Sequence, residues 1–157
     1  VGVAAVYCLK FYERYFELNL DQFQLDKAKQ AYLDEDAHAK LVLDKYGEKI
    51  GRAIVRDNEE IGISWEKTER RFRTLAAEHE RIRAALAFLP TADEMLEVYR
   101  ELGYPWPAAA LDIDDKLLLN SLLYGKEYRS RYTVFKSAYE IGVLPELVDK
   151  IIKDLSN

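Results

Sequence analysis

Helical spacing dominates the hydrophobic pattern of this chain. From Gly2 to about Leu18, Val3, Tyr7, Phe11 and Leu18 form a stripe with Ala4, Cys8 and Tyr15 beside it, wide enough for burial on more than one side; the segment is predicted to be a core helix. A shorter helix is expected near Gln22 to Leu33. Asp34, Glu35 and Asp36 follow, where a first helical turn favours negative charge, ahead of Leu41, Val42 and Tyr46, with Gly47 as the stop. That triplet is read as capping and dipole chemistry rather than a metal site. Glu48 to Arg56 reads as a further helix and Asp57 to Gly62 as a loop.

The clearest element runs from Ser64, as N-cap, to Leu89. Trp65, Thr68, Phe72, Leu75, His79, Ile82, Leu86 and Leu89 keep a three-four spacing, which predicts packing along the whole length. The outer face offers Glu66–Arg70 and Glu69–Arg73 pairs at i,i+4. Pro90 ends this helix. Thr91 to Glu94 reads as a capping box for a helix reaching about Leu102, with Gly103 in the left-handed position that closes it. In YPWPAAALDIDD, Pro105 and Pro107 block regular helix, and Asp112 or Asp114 caps the next one, whose apolar face is Leu117, Leu118, Leu122 and Leu123 and whose end falls near Tyr124 or Gly125. Two short helices follow. One spans about Arg131 to Ile141, stopped by Gly142; the other has Pro145 in its first turn and buries Leu147, Val148, Ile151, Ile152 and Leu155. The expectation is one all-α domain over residues 1–157, a bundle of about eight helices.

Composition narrows the function more than the fold. With 157 residues, 49% hydrophobic and 32% charged, and only 7 Gly and 4 Pro, the chain suits one ordinary globular core. Its formal charge of -5 disfavours nucleic acid and anionic membrane surfaces as partners. The lone cysteine, Cys8, has no pairing partner in the chain and fits a reducing, cytoplasmic setting and a small buried hydrophobe rather than a catalytic thiol. The opening VGVAAVYCLKFYERYF lacks the basic flank of a signal peptide and stops being apolar at Lys10, too early to span a membrane. What remains is a helix that looks cut from an upstream neighbour.

Candidate chemistry is sparse. No GxGxxG or GxxxxGK[ST] loop is present, and His38 and His79 form no HExxH pair. His79 falls on the apolar seam of its helix and is read as a core histidine with satisfied ring nitrogens; His38 follows an acidic turn and is expected to be exposed. The stretch KEYRSRYTVFK interleaves bases and aromatics. Packing and capping is its first reading. An anion site built on Lys126, Arg129, Arg131 and Tyr132 and completed elsewhere is the second, and a nucleic-acid surface the third.

Two stretches carry a resemblance. VGVAAVYCLKFYERYF resembles the helix that follows a metal-binding His-Gly motif in the glycerol-1-phosphate dehydrogenase group of the iron-containing alcohol dehydrogenase and dehydroquinate synthase-like enzymes, and ELGYPWPAAALDIDDKLLLNSLLYGKEYRSRYTVFKSAYEIGVL resembles that group's C-terminal layout. The resemblance implies an upstream NAD(P)-binding domain, zinc or iron held by an Asp and two His outside this chain, and a small polyol phosphate or ketone as substrate. The metal would polarise the carbonyl of dihydroxyacetone phosphate while the nicotinamide supplies hydride. None of those ligands falls on a residue here, so the segment alone is expected to be silent, binding neither cofactor nor metal. It would wall the substrate cleft, chiefly through its first helix. A severed half-enzyme is expected to expose an apolar face around Val1 to Leu9 and to cover it by forming homo-oligomers. The alternative is a self-contained interaction module that docks a partner on that same seam.

Overall fold

Local signals set most helix boundaries. In the computed structural model, which describes residues 2–59 and 61–156, eight α-helices follow one another: α1 (Gly2–Tyr15), α2 (Gln22–Ala31), α3 (Glu35–Asn58), α4 (Trp65–Ala85), α5 (Ala92–Glu101), α6 (Asp115–Tyr124), α7 (Val134–Glu140) and α8 (Leu144–Leu155). Short 3₁₀ turns occupy Ala108–Leu111 and Gly125–Tyr128, and there is no strand among the described residues. The all-α expectation holds. Asp21 caps α2 and Asp34 caps α3, each accepting a backbone N–H three residues on. Thr91 and Glu94 form the expected capping box. Gly47 is a break, as expected: its φ of 74° kinks α3 into the two predicted helices. Gly103 and Gly142 also take positive φ and close their helices.

Several boundaries and two faces differ from the sequence reading, among them the end of α3, which runs on through Asp57 and Asn58 where a loop was expected. The first helix stops at Tyr15 in a turn over residues 16–17, short of Leu18. The long helix ends at Ala85 rather than Leu89, because the backbone tightens into i→i+3 bonds, Ala87 to Ala84 and Leu89 to Leu86, before Pro90. The seventh helix begins at Val134, not Arg131, since Thr133 is its N-cap and accepts from Lys136 N. Along α4 only Thr68 and Phe72 are buried, so the seam does not pack over its full length. On α6 the buried residue is Leu122, while Leu117 is 53% exposed.

The chain divides into two compact units. The first comprises Val1–Leu18, Glu78–Leu122 and Pro145–Asn157. Its core contains Val3, Val6, Tyr7, Phe11 and Tyr15 of α1 together with Val148 and Ile151 of α8. Among the described residues the face expected to be bare around Val1 to Leu9 is therefore largely covered, with Val3, Val6 and Tyr7 at 5%, 0% and 4% exposure; Val1 lies outside the described residues. Polar contacts fix the packing of α1. Glu13 accepts from the first free N–H of α5, Ala92 N, at 2.7 Å, Arg14 Nε donates to Asp154 at 2.7 Å, and Tyr99 donates to the Gly2 carbonyl at 3.0 Å. Trp106 lies 5.5 Å from the Tyr7 ring.

The second unit comprises Asn19–Ala77 and Leu123–Leu144. Leu25, Ala28, Val42, Ile54, Phe72, Ala138 and Ile141 are buried in it. Gln24 Nε2 donates to the Ile141 carbonyl at 2.6 Å and Tyr46 to that of Tyr124 at 2.6 Å, satisfying backbone acceptors left at helix ends. Arg71 grips both oxygens of Glu140, and Tyr132 donates to Glu140 Oε2 at 2.7 Å.

Candidate functional site

The second unit buries an unusual set of charges. After α6 the chain tightens into the 3₁₀ turn Gly125–Tyr128, which places the adjacent Lys126 and Glu127 inside at 8% and 4% exposure. Lys126 Nζ donates to Glu127 Oε1, and the same ammonium sits 4.1 Å from the centre of the Tyr139 ring. His38 reaches the same carboxylate, its Nε2 3.2 Å from Glu127 Oε1. An ionised carboxylate only accepts, so Nε2 carries the proton of that bond. Asn58, in the last turn of α3, donates to the carbonyls of Ile54 and Glu127, and its Oδ1 accepts from Lys136 Nζ. Lys136 also donates to the Arg129 carbonyl at 2.8 Å.

These groups border a cavity of about 60 Å³. His38, Asn58, Glu127, Lys136, Tyr139 and Glu140 give it a polar side; Ala31, Leu33, Ile61 and Ile63 give it an apolar one. Burial is the largest influence on Glu127 and raises its pKa, yet the His38 hydrogen bond and the Lys126 charge overcome it and hold the carboxyl at about 2. Burial lowers Lys126, only partly offset by Glu127, and lowers Lys136 as well. Tyr139 is pushed up by burial and then by the Glu127 charge, so it remains a phenol. Its hydroxyl is buried and makes no hydrogen bond.

The four candidates from the KEYRSRYTVFK stretch are divided. Lys126 belongs to the buried cluster, and Tyr132 is tied to Glu140 and lies under the Arg71 guanidinium, 5.1 Å from its ring centre. Arg129 and Arg131 are exposed; Arg129 stacks 5.8 Å over Tyr128 and contributes only its carbonyl inward. The bases at the ends of the stretch thus turn inward and those in its middle turn out.

Both histidines differ from expectation. His38 is buried at 9%, not exposed, because it lies one helical turn before buried Val42 on the same face of α3. His79, in the first unit, does not have both ring nitrogens satisfied: Nε2 is buried without a partner, Nδ1 is 3.6 Å from Glu80, and the ring lies 5.2 Å from Phe16. Cys8 is half-buried, and burial pushes its thiol up, away from nucleophilic reactivity. Of the acidic triplet, Asp34 is the cap. Sequence reasoning missed Glu127, Asn58 and Tyr139 altogether. The Lys-Glu dipeptide beside Gly125 was the available signal, but hydrophobic periodicity scores both residues as surface.

Among the described residues no group of three His, Cys, Asp or Glu side chains could hold a metal ion, and no helix is long and apolar enough to cross a membrane. No family model matches the sequence, and no solved structure matches it. Over 69 residues the chain is 35% identical to a protein named glycerol-1-phosphate dehydrogenase (NAD(P)+) from Bacillus licheniformis. That stretch is 44% of this chain and 17% of the relative, so the chain matches about a sixth of the relative's length. A weak relation to the glycerol-1-phosphate dehydrogenases, carried by an all-helical chain, is the conclusion these findings reach.

Proposed function

We propose that this chain is the helical, substrate-side domain of a metal-dependent, NAD(P)-dependent dehydrogenase of the glycerol-1-phosphate type. The observation that carries the reading is the 35% identity over 69 residues to a protein of that name. The all-helical architecture agrees with the helical domain that the sequence resemblance implies. In this reading NAD(P) and a zinc or iron ion are held by residues outside the chain, and the substrate is a small polyol phosphate or its ketone. Among the described residues no group of His, Cys, Asp or Glu side chains could hold that metal.

The chain's own contribution is a wall. α1 buries one side in the first unit and leaves Cys8 and Tyr12 half-exposed, and Phe16, in the turn that follows, continues their i,i+4 spacing. Burial raises both the Cys8 thiol and the Tyr12 phenol, which keeps the stripe uncharged. An uncharged, largely aromatic stripe is a surface from which water is expelled once another part of the protein covers it. The test is the intact mass of the native protein, captured from its source cells with an antibody and read under denaturing conditions. A species at least about twice 18.2 kDa supports the reading, since a cofactor domain of roughly 150 residues about doubles the chain. A species at 18.2 kDa with no co-purifying nucleotide-binding chain contradicts it.

A further inference from the structure

Lys136 stands apart from the other buried bases of the second unit. Lys126 donates to the Glu127 carboxylate and Arg71 to that of Glu140, bonds that favour a charged nitrogen. Lys136 is 7% exposed, and its bonds run to two neutral oxygens, Asn58 Oδ1 and the Arg129 carbonyl, the latter at 2.8 Å. A free amine has two N–H groups and one lone pair, so these two acceptors match its donors and leave the lone pair for an electrophile. Burial is the largest influence on Lys136 and lowers its pKa. Glu127 and Glu140 act to keep it charged and Lys126 acts against, and the balance falls below the ordinary value. The nucleophilic form is therefore reached more readily here than on a surface lysine.

The cavity beside it has the parts that acyl transfer needs. Tyr139 follows Lys136 by three residues on the same face of α7, and both line the cavity. Its hydroxyl is buried without a partner and stays protonated, since burial and the Glu127 charge push its pKa up. Such a hydroxyl can donate to an oxygen that turns negative in a transition state. Ala31, Leu33, Ile61 and Ile63 form the apolar side, and because Ala31 and Leu33 are exposed, that side opens to the surface. A water needs roughly 10–15 Å³ of such space, so about 60 Å³ accommodates on the order of five heavy atoms. An acetyl group has three. We infer that Lys136 is an acetylation site, taking an acetyl group from a small thioester or acyl phosphate, with the Tyr139 hydroxyl as donor to the oxyanion. The Lys136 nitrogen attacks the carbonyl carbon, whose oxygen takes the π pair. That pair re-forms the carbonyl as the bond to sulfur or phosphate oxygen breaks; the leaving group departs with the electrons of that bond, and the proton on nitrogen passes to it or to solvent. The product amide is uncharged, retains one N–H and sets its methyl on the apolar side. Lys126 and Arg71 then match Glu127 and Glu140 one to one. This site stands on the geometry of the second unit and does not depend on the dehydrogenase reading.

The experiment treats the folded full chain at pH 8 with S-acetyl-N-acetylcysteamine or with acetyl phosphate and follows each lysine at low conversion by peptide mass mapping. Lys136 is expected to acetylate about threefold or more faster than the exposed Lys49 and Lys116. Lys126, equally buried but bound to Glu127 and outside the cavity lining, should stay unmodified. Unfolding in urea should abolish the preference, and a hexanoyl thioester, too long for the cavity, should show none. Tyr139→Phe removes a hydroxyl with no partner and so keeps the fold; it should slow Lys136 about three- to tenfold and leave Lys49 unchanged. The faster of the two acetyl donors identifies the source, and a preference with either supports the site. Lys136 reacting no faster than Lys49 with both donors overturns the proposal. So does a Lys136 rate that Tyr139→Phe leaves intact, or a preference that survives urea or the hexanoyl donor.

Discussion

Replacing Glu127 by Gln removes the charge that holds the buried cluster together while keeping the side chain's shape. Glu127 is 4% exposed, and its carboxyl is held at about 2 against an ordinary value of 4.5, a difference of about 2.5 pH units. At about 1.4 kcal/mol per unit, the ionised group contributes about 3 kcal/mol of stability near neutral pH. Because the folded value is depressed, that contribution is complete above pH 4.5 and is lost as pH falls through about 2. An independent route gives a similar figure: removing one partner of a buried ion pair, which here strands Lys126, costs about 3–5 kcal/mol. Glu127→Gln is therefore expected to destabilise the second unit by about 3 kcal/mol at pH 7, with the gap to wild type narrowing below pH 4.5. Trp65 reports this unit through its edge-on contact with Tyr32, centroids 5.8 Å apart, and Trp106 belongs to the other unit. Urea unfolding followed by tryptophan fluorescence in a Trp106→Phe background reads the effect directly. A loss below about 1 kcal/mol at pH 7, or a gap unchanged between pH 5 and pH 2.5, would refute the buried-pair reasoning.

Other changes probe the two units separately. Phe11→Ala empties a side chain with 0% exposure in the first unit and should cost about 3–5 kcal/mol, read by Trp106 fluorescence in a Trp65→Phe background during urea unfolding. Thr91→Ala removes the side-chain half of the capping box on α5, leaving the bond from its backbone N–H to Glu94, and should cost about 1 kcal/mol in the same assay, with Thr91→Ser recovering most of it. Gly142→Ala forces a side chain onto a backbone at φ 74° and brings its Cβ to 3.1 Å from the Ala31 Cβ; a loss of about 1–2 kcal/mol in the second unit is expected, and no loss would show that the α7 end relaxes freely.

The sequence disclosed helices and their ends far better than the site. Caps act within three or four residues, so Asp34, Thr91, Gly103 and Gly142 could be read locally and stand where expected. The cluster is a long-range object. His38 meets Glu127 across 89 positions and Lys136 meets Asn58 across 78, and no local pattern encodes such a meeting. Periodicity also treats Lys and Glu as solvent markers, which is why Lys126, Glu127 and Lys136 went unrecognised as buried. His38 was recoverable in principle. It sits four residues before Val42, and only the preceding acidic turn argued for exposure. The inverse error affected α4, where a regular apolar stripe suggested continuous packing but only Thr68 and Phe72 are buried. A stripe states which face of a helix prefers cover; neighbours decide how much of it receives any.

The reading as a glycerol-1-phosphate-type dehydrogenase domain is tested most directly by activity. The native protein, captured from its source cells, would be supplied with dihydroxyacetone phosphate and NADH or NADPH, with and without prior chelation. The expected result is oxidation of one or both nicotinamides that chelation abolishes and zinc or iron restores. Full-length, folded protein that oxidises neither nicotinamide, with either metal present, would contradict the account.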